Sequence, residues 1–211
     1  MLAAFPQVFV KVLNRVPTSD GYDVIMPRLE SALMCDSLVY AAPLLKELWT
    51  HQSPQQKRSV WWQSFLWTHL NKICREERLP IAPHQLTSPV YNSQNDGHFI
   101  HGDPTLANLL FSSIDGDYRW IDPLDRPYIP GDRHVDLGKL YQSCMGYEDV
   151  LQGREPRVRK DLMRRLALDL DLDSHLGLAW CRIHFVRLLP WQLPADRPAL
   201  KQLFLQIPEE L

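Results

Sequence analysis

Between Gln55 and Arg78, the residues Trp62, Phe65, Leu66, Leu70 and Ile73 recur at three- and four-residue steps, with Lys57, Lys72, Arg75 and Glu76 mostly on the other side. That spacing predicts an amphipathic helix whose aromatic and aliphatic stripe faces a core. His69 lies near that stripe and reads as a hydrogen-bonded core or boundary histidine. Val8 to Leu13 and Tyr22 to Met26 are β-rich runs around a polar turn, Pro17 to Gly21. Asp36 to Thr50 predicts a helix interrupted at Pro43, and Leu79 to Asn95, with Pro80, Pro83 and Pro89, predicts a loop. Leu137, Leu140, Tyr141 and Cys144 give the apolar face of a helix begun by Asp132 or Asp136, where a carboxylate suits the free amides. After a break at Gly153 to Pro156, Val158, Leu162, Leu166 and Leu170 mark another helix. Its outer side carries Arg157, Arg159, Lys160, Arg164 and Arg165, a solvated face more commonly than a dock for an acidic partner. Ser174 is the expected N-cap of a helix through Leu189; Pro190 to Pro198 forms a loop, and a short helix ends the chain.

One stretch breaks from plain periodicity. Phe99 and Ile100 form a short apolar run ending in His101, Gly102 and Asp103; Asn108 follows, and a second apolar run (Tyr118, Trp120, Ile121) delivers Asp122. The pattern is strand, loop, strand, with an acid, an amide and another acid at the strand ends. Magnesium takes one or two protein carboxylates or amides and leaves its other positions to water and phosphate oxygens. Asn108 and Asp122 supply such a pair if a hairpin folds their loops side by side. Asp103 would then face an acceptor hydroxyl and take its proton. Each residue alone reads better as turn chemistry, since Asn and Asp bond to their own backbone and Asp122 precedes Pro123. Taken together, the spacings favour a phosphoryl-transfer site.

Composition changes this picture little. The 211 residues suffice for a substantial core, and a net charge of −2 with a pI near 6.4 gives no basic footprint for nucleic acid. No apolar run is long enough to span a bilayer, and the start lacks the basic then apolar layout of a signal peptide. Cys35, Cys74, Cys144 and Cys181 are too dispersed for a metal knuckle and read as reduced thiols of a cytoplasmic protein.

The spacing of His101, Asp103 and Asn108, followed by Asp122, resembles the catalytic loop and metal-binding Asp of the protein-kinase-like superfamily. Gly102 in place of Arg, and Ile121, Asp122 and Pro123 in place of Asp-Phe-Gly, resemble the aminoglycoside phosphotransferase and choline kinase branch. The run from Val135 to Ser143, then Gly146, Tyr147 and Glu148, is similar to bacterial members found near surface-carbohydrate genes. The resemblance implies an α+β, protein-kinase-like fold. Residues 1–30 would be a remnant N-terminal lobe with a strand pair and hinge, and residues 31–211 a mostly helical C-terminal lobe around a catalytic hairpin. It implies ATP and Mg2+ as cofactors and a small-molecule hydroxyl as acceptor, with no nucleic-acid or membrane partner. Asp103 would be the base, His101 would order the loop, and Asn108 and Asp122 would hold metal. Met26, Pro27, Leu29 and Glu30 would border the nucleotide base, or else belong to an ordinary hairpin exit. Asp136 would brace the loop backbone. Asp125 and Arg126 would contact substrate, or form a surface ion pair.

The family also uses a strand lysine on the phosphates, paired with a helix glutamate. Only 14 residues separate Lys11 from Met26, too few for a helix of about 11 residues, a strand and two connections. Lys11 is therefore expected to face solvent. None of the nine glycines forms G-x-G-x-x-G, so the chain is expected to begin part-way through the N-terminal lobe. A separate polypeptide would supply the missing piece, or nucleotide binding would be weak or lost. Three readings stay open: a small-molecule phosphotransferase, a kinase-like module that binds without turnover, and a metal-dependent hydrolase. The lack of a His-rich cluster counts against the last.

Overall fold

Apolar stripes at helical spacing need partners, and here they find one another around two central helices. The computed structural model describes residues 8–9, 14–18, 21–25, 29–31, 38–51, 60–91, 97–112, 116–124 and 131–211. It is mixed α+β and mostly helical. Helices α1 (Leu38–Trp49), α2 (Val60–Glu76), α3 (Pro83–Tyr91), α4 (Arg133–Cys144), α5 (Tyr147–Leu151), α6 (Lys160–Leu170), α7 (Ser174–Leu188) and α8 (Arg197–Leu205) follow in chain order. Strands β1 (Asn14–Thr18) and β2 (Gly21–Ile25) pair antiparallel, and β3 (Leu29–Ser31), β4 (Leu109–Ser112) and β5 (Asp117–Trp120) form a second antiparallel sheet. Among the described residues no helix is long and apolar enough to cross a membrane.

The centre is the α4–α7 pair. Glycine lets the two backbones touch: a Cβ on Gly138 would sit 2.5 Å from the Cβ of Trp180, and one on Gly177 would sit 2.7 Å from Leu137 Cδ2. A side chain at Gly138 would meet the backbone of α7 and push the helices apart, and one at Gly177 would displace the Leu137 and Tyr141 side chains. From Val135 to Cys144 every residue of α4 is buried, so this helix is enclosed on all sides rather than amphipathic. Its N-cap is Asp132, whose carboxylate accepts from the His134 amide at 2.9 Å.

Several local expectations are corrected. Helix α1 runs through Pro43 without a break; the ring is solvent-exposed and removes only one early hydrogen bond. The stretch expected as a loop contains α3. Pro83 takes the first helical position, where its missing N–H costs nothing, and Gln85 Oε1 accepts from the Ala82 amide at 2.9 Å. Pro17 belongs to β1, opposite Tyr22, so two residues separate β1 from β2. Val8 and Phe9 are buried in the main core, and Phe9 bridges in parallel to Trp120. Lys11 lies outside the described residues. Phe99 and Ile100 form no regular strand. The cap of α7 is Asp173, which accepts from the His175 amide at 2.8 Å, not Ser174. Arg157 and Arg159 precede α6 and, with Arg154, surround the buried carboxylate of Asp149. Strand β3 crosses the expected lobe boundary and pairs with β4, Leu29 opposite Ser112 and Glu30 opposite Phe111. Cys74, Cys144 and Cys181 are buried free thiols, and Cys35 lies outside the described residues.

Candidate active site

The segment before His101 is irregular, so its backbone groups must be satisfied from elsewhere. The His98 amide donates to Gly131 O and the Phe99 amide to His51 O, both at 3.0 Å, which hangs the chain between the ends of α1 and α4. A short 3-10 turn, Leu106–Asn108, then leads into β4, and β5 returns antiparallel beside it, Leu109 opposite Trp120.

His101 ties these two loops together. Its ring is fully buried, 5.7 Å from the Phe9 ring centre and edge-on to Trp120 at 5.1 Å. The Asp103 amide donates to Nδ1 at 3.2 Å, which puts the ring proton on Nε2, 3.0 Å from Ile121 O. Burial lowers the imidazole pKa to about 4, further than the nearby Asp103 charge can offset, so the ring is neutral. The His101 carbonyl accepts from the Leu124 amide at 2.8 Å, and the Ile121 amide donates to Asn108 O at 2.9 Å. Asp122 sits between these anchors. It is exposed, with a left-handed φ of 52°, a conformation uncommon outside glycine. The loop that carries Asp103 and Asn108 is thereby fixed beside the turn that carries Asp122.

Within the first loop, Asp103 O accepts from the Thr105 amide at 2.8 Å and from Asn108 Nδ2 at 2.9 Å. Asn108 Nδ2 also lies 3.4 Å from Asp103 Oδ2. With Nδ2 committed inward, the Asn108 amide keeps Oδ1 for a ligand. Asn108 Oδ1 and the Asp122 carboxylate are hard oxygen donors, the kind that magnesium takes. Among the described residues no three His, Cys, Asp or Glu side chains group as a metal cluster. One carboxylate and one amide fit a magnesium that draws its remaining ligands from water and phosphate.

The loop rests on α4. Asp136 Oδ1 accepts from the Gly102 amide at 2.7 Å, and Oδ2 accepts from the His101 amide and Trp49 Nε1, each at 3.0 Å. Burial raises its pKa to about 6, against the pull of the Trp49 indole and the two loop amides. One turn on, Lys139 Nζ lies 2.7 Å from Asp103 Oδ1. Beyond it, Ser143 Oγ accepts from the Leu106 amide at 3.1 Å and donates to Glu148 Oε1 at 2.5 Å. Burial also raises the Glu148 pKa.

The structure therefore brings His101, Asp103, Asn108, Asp122 and Asp136 into one neighbourhood. Met26, Pro27, Asp125 and Arg126 lie outside the described residues. Leu29 and Glu30 enter through backbone pairing with β4, which carries the hairpin. Sequence reasoning missed Lys139, Ser143, Glu148 and Trp49. For two of them a signal existed: Asp136, Lys139 and Ser143 fall at i, i+3 and i+7, one polar stripe beside the apolar face of the helix. No family model matches this chain, and neither a curated protein nor a solved structure matches it.

Proposed function

We propose that this chain is a cytoplasmic phosphotransferase that moves the γ-phosphate of magnesium-bound ATP to a hydroxyl of a small, carbohydrate-like acceptor. The observation that carries the reading is the double tether of His101, through Nε2 and its carbonyl, to the turn that holds Asp122. It joins one acid fit to be a base with an acid and an amide fit for a metal. In this reading the acceptor oxygen gives its proton to the Asp103 carboxylate as it bonds to the γ-phosphorus, and the bond from phosphorus to ADP breaks. Asn108 and Asp122 would hold magnesium, which neutralises phosphate charge when bound. Neutral His101 and ionised Asp136 keep the loop rigid, so little reorganisation remains for the reaction.

The test combines binding and turnover. Magnesium-ATP should raise Tm in the wild type, and Asp122→Asn should abolish that rise. ADP release with a panel of sugars and amino sugars should fall by about a hundredfold or more in Asp103→Ala. An Asp103→Ala protein that turns over at the wild-type rate removes the assignment. A second reading is a kinase-like module that binds magnesium-ATP without turnover. Binding that persists in Asp122→Asn with no ADP formed by any variant would select it.

A further inference from the structure

Helix α4 carries a buried cation that the proton transfer described above does not use. Lys139 is 6% exposed, and lysine is rarely enclosed without a counter-charge. Its ammonium sits 2.7 Å from Asp103 Oδ1 and donates to Gln142 Oε1 at 3.2 Å. Asp103 Oδ1 is itself buried and has no hydrogen-bond partner among the described residues apart from this ion pair. Among the described residues the other oxygen, Oδ2, has only a long contact with Asn108 Nδ2, at 3.4 Å, and the side chain as a whole is 25% exposed. The two oxygens of the carboxylate are thus unequal, one locked inside and one turned to the loop that carries the amide.

We infer that Lys139 is a positioning residue for the base: its ammonium pins Oδ1 of Asp103, so that Oδ2 is the oxygen that receives the acceptor's proton. The inference rests on the phosphotransferase reading. A carboxylate swings between rotamers when both oxygens see water, and a base must hold one lone pair within hydrogen-bond reach of the proton it takes. The pair is not needed merely to join loop to helix, because Asp136 and Ser143 already do so on either side of it along the same stripe. Other charges also reach the ammonium: Glu148 from α5 adds to the attraction of Asp103, Arg187 from α7 opposes it, and His184 from α7 is held neutral by burial. Burial lowers the Lys139 pKa, and Asp103 works against that fall.

The test compares Lys139→Met and Lys139→Arg with the wild type, reading kcat and KM for ADP formation together with Tm. Lys139→Met should lower kcat by about a hundredfold with KM for ATP little changed, because the nucleotide is not what Lys139 touches. Lys139→Arg keeps the charge and should restore most of that loss, while its longer, planar head still leaves kcat about tenfold below the wild type. If Lys139→Met does not fold, Lys139→Arg decides alone: a reduced kcat at an unchanged KM for ATP supports the role, and a wild-type kcat overturns it. A Lys139→Met protein whose activity falls only with its Tm also overturns it, leaving the phosphotransferase reading intact. A wild type that neither binds magnesium-ATP nor forms ADP defeats both together.

Discussion

Helices α4 and α6 carry the same kind of pattern and put it to opposite uses. In α6, Met163, Leu166, Ala167 and Leu170 are buried, and the outer side holds Asp161, Arg164, Arg165 and Asp169 in water. In α4 the polar stripe of Asp136, Lys139 and Ser143 is as buried as the apolar positions between. Each member meets the loop in order: Asp136 at His101 and Gly102, Lys139 at Asp103, Ser143 at Leu106. One helical stripe therefore runs along the candidate loop residue by residue. A polar group that faces water trades one hydrogen bond for another, whereas a buried one is worth what it would cost to orphan its partners. Position in the layer, not chemistry, decides which polar stripe fixes a site.

The largest expected contrast lies at Asp136. Asp136→Ala strands three buried donors, the His101 and Gly102 amides and the Trp49 indole N–H. At about 1–3 kcal/mol for each unsatisfied group, the variant should lose at least about 3 kcal/mol by urea unfolding and all measurable ADP formation. A variant that unfolds at the wild-type midpoint would mean that the loop holds itself and that α4 is only its neighbour.

A subtler contrast concerns pH. His101 has its pKa lowered to about 4 in the fold from 6.5, so the folded state resists a proton that the unfolded chain accepts, and stability is lost as pH falls from about 6.5 to 4. Asp136 runs the other way: its pKa is raised to about 6 from 3.8, so the folded state holds a proton longer, and stability is lost as pH rises through the same window. Each effect amounts to about 3 kcal/mol, and the two oppose one another. The wild type should thus show a shallow dependence between pH 4 and 6.5. Asp136→Asn, which cannot titrate, should unmask the histidine and make stability climb steeply with pH across that interval. Parallel curves for the two proteins would show that one of these groups is not buried as described.

What the sequence revealed and what it hid divide along the same line. His101, Asp103, Asn108 and Asp122 were legible because their spacing is local, and a hairpin with a short 3-10 turn folds a local spacing into one place. Asp136 was legible as a brace only through resemblance. Lys139 was not, because periodicity takes Leu137, Leu140, Tyr141 and Cys144 as the inner face and assigns charge to water. It cannot know that α7 covers one side of the helix and the loop covers the other. Helix α3 was hidden by its prolines, which read as breakers although Pro83 occupies a starting position and Gln85 caps it. In α1, Pro43 is tolerated because its neighbours Ala41, Ala42 and Leu45 are buried, and that burial outweighs one missing bond.

The smallest expected effect completes the comparison from the α6 side. Arg165 Nε lies 3.4 Å from Asp169 Oδ2, one turn apart, with the two side chains 68% and 45% exposed. Water solvates both ions nearly as well apart as together, and holding two long side chains in register costs rotamer freedom. Arg165→Ala should therefore change stability by no more than about 0.5 kcal/mol, a difference that shrinks further in molar salt. The same charge removed from position 139 is expected to cost far more, because there no water can take the place of the lost ammonium. A loss of more than about 1 kcal/mol at Arg165 would mean that the outer face of α6 is covered in the folded protein, and the distinction between the two helices would have to be redrawn around whatever covers it.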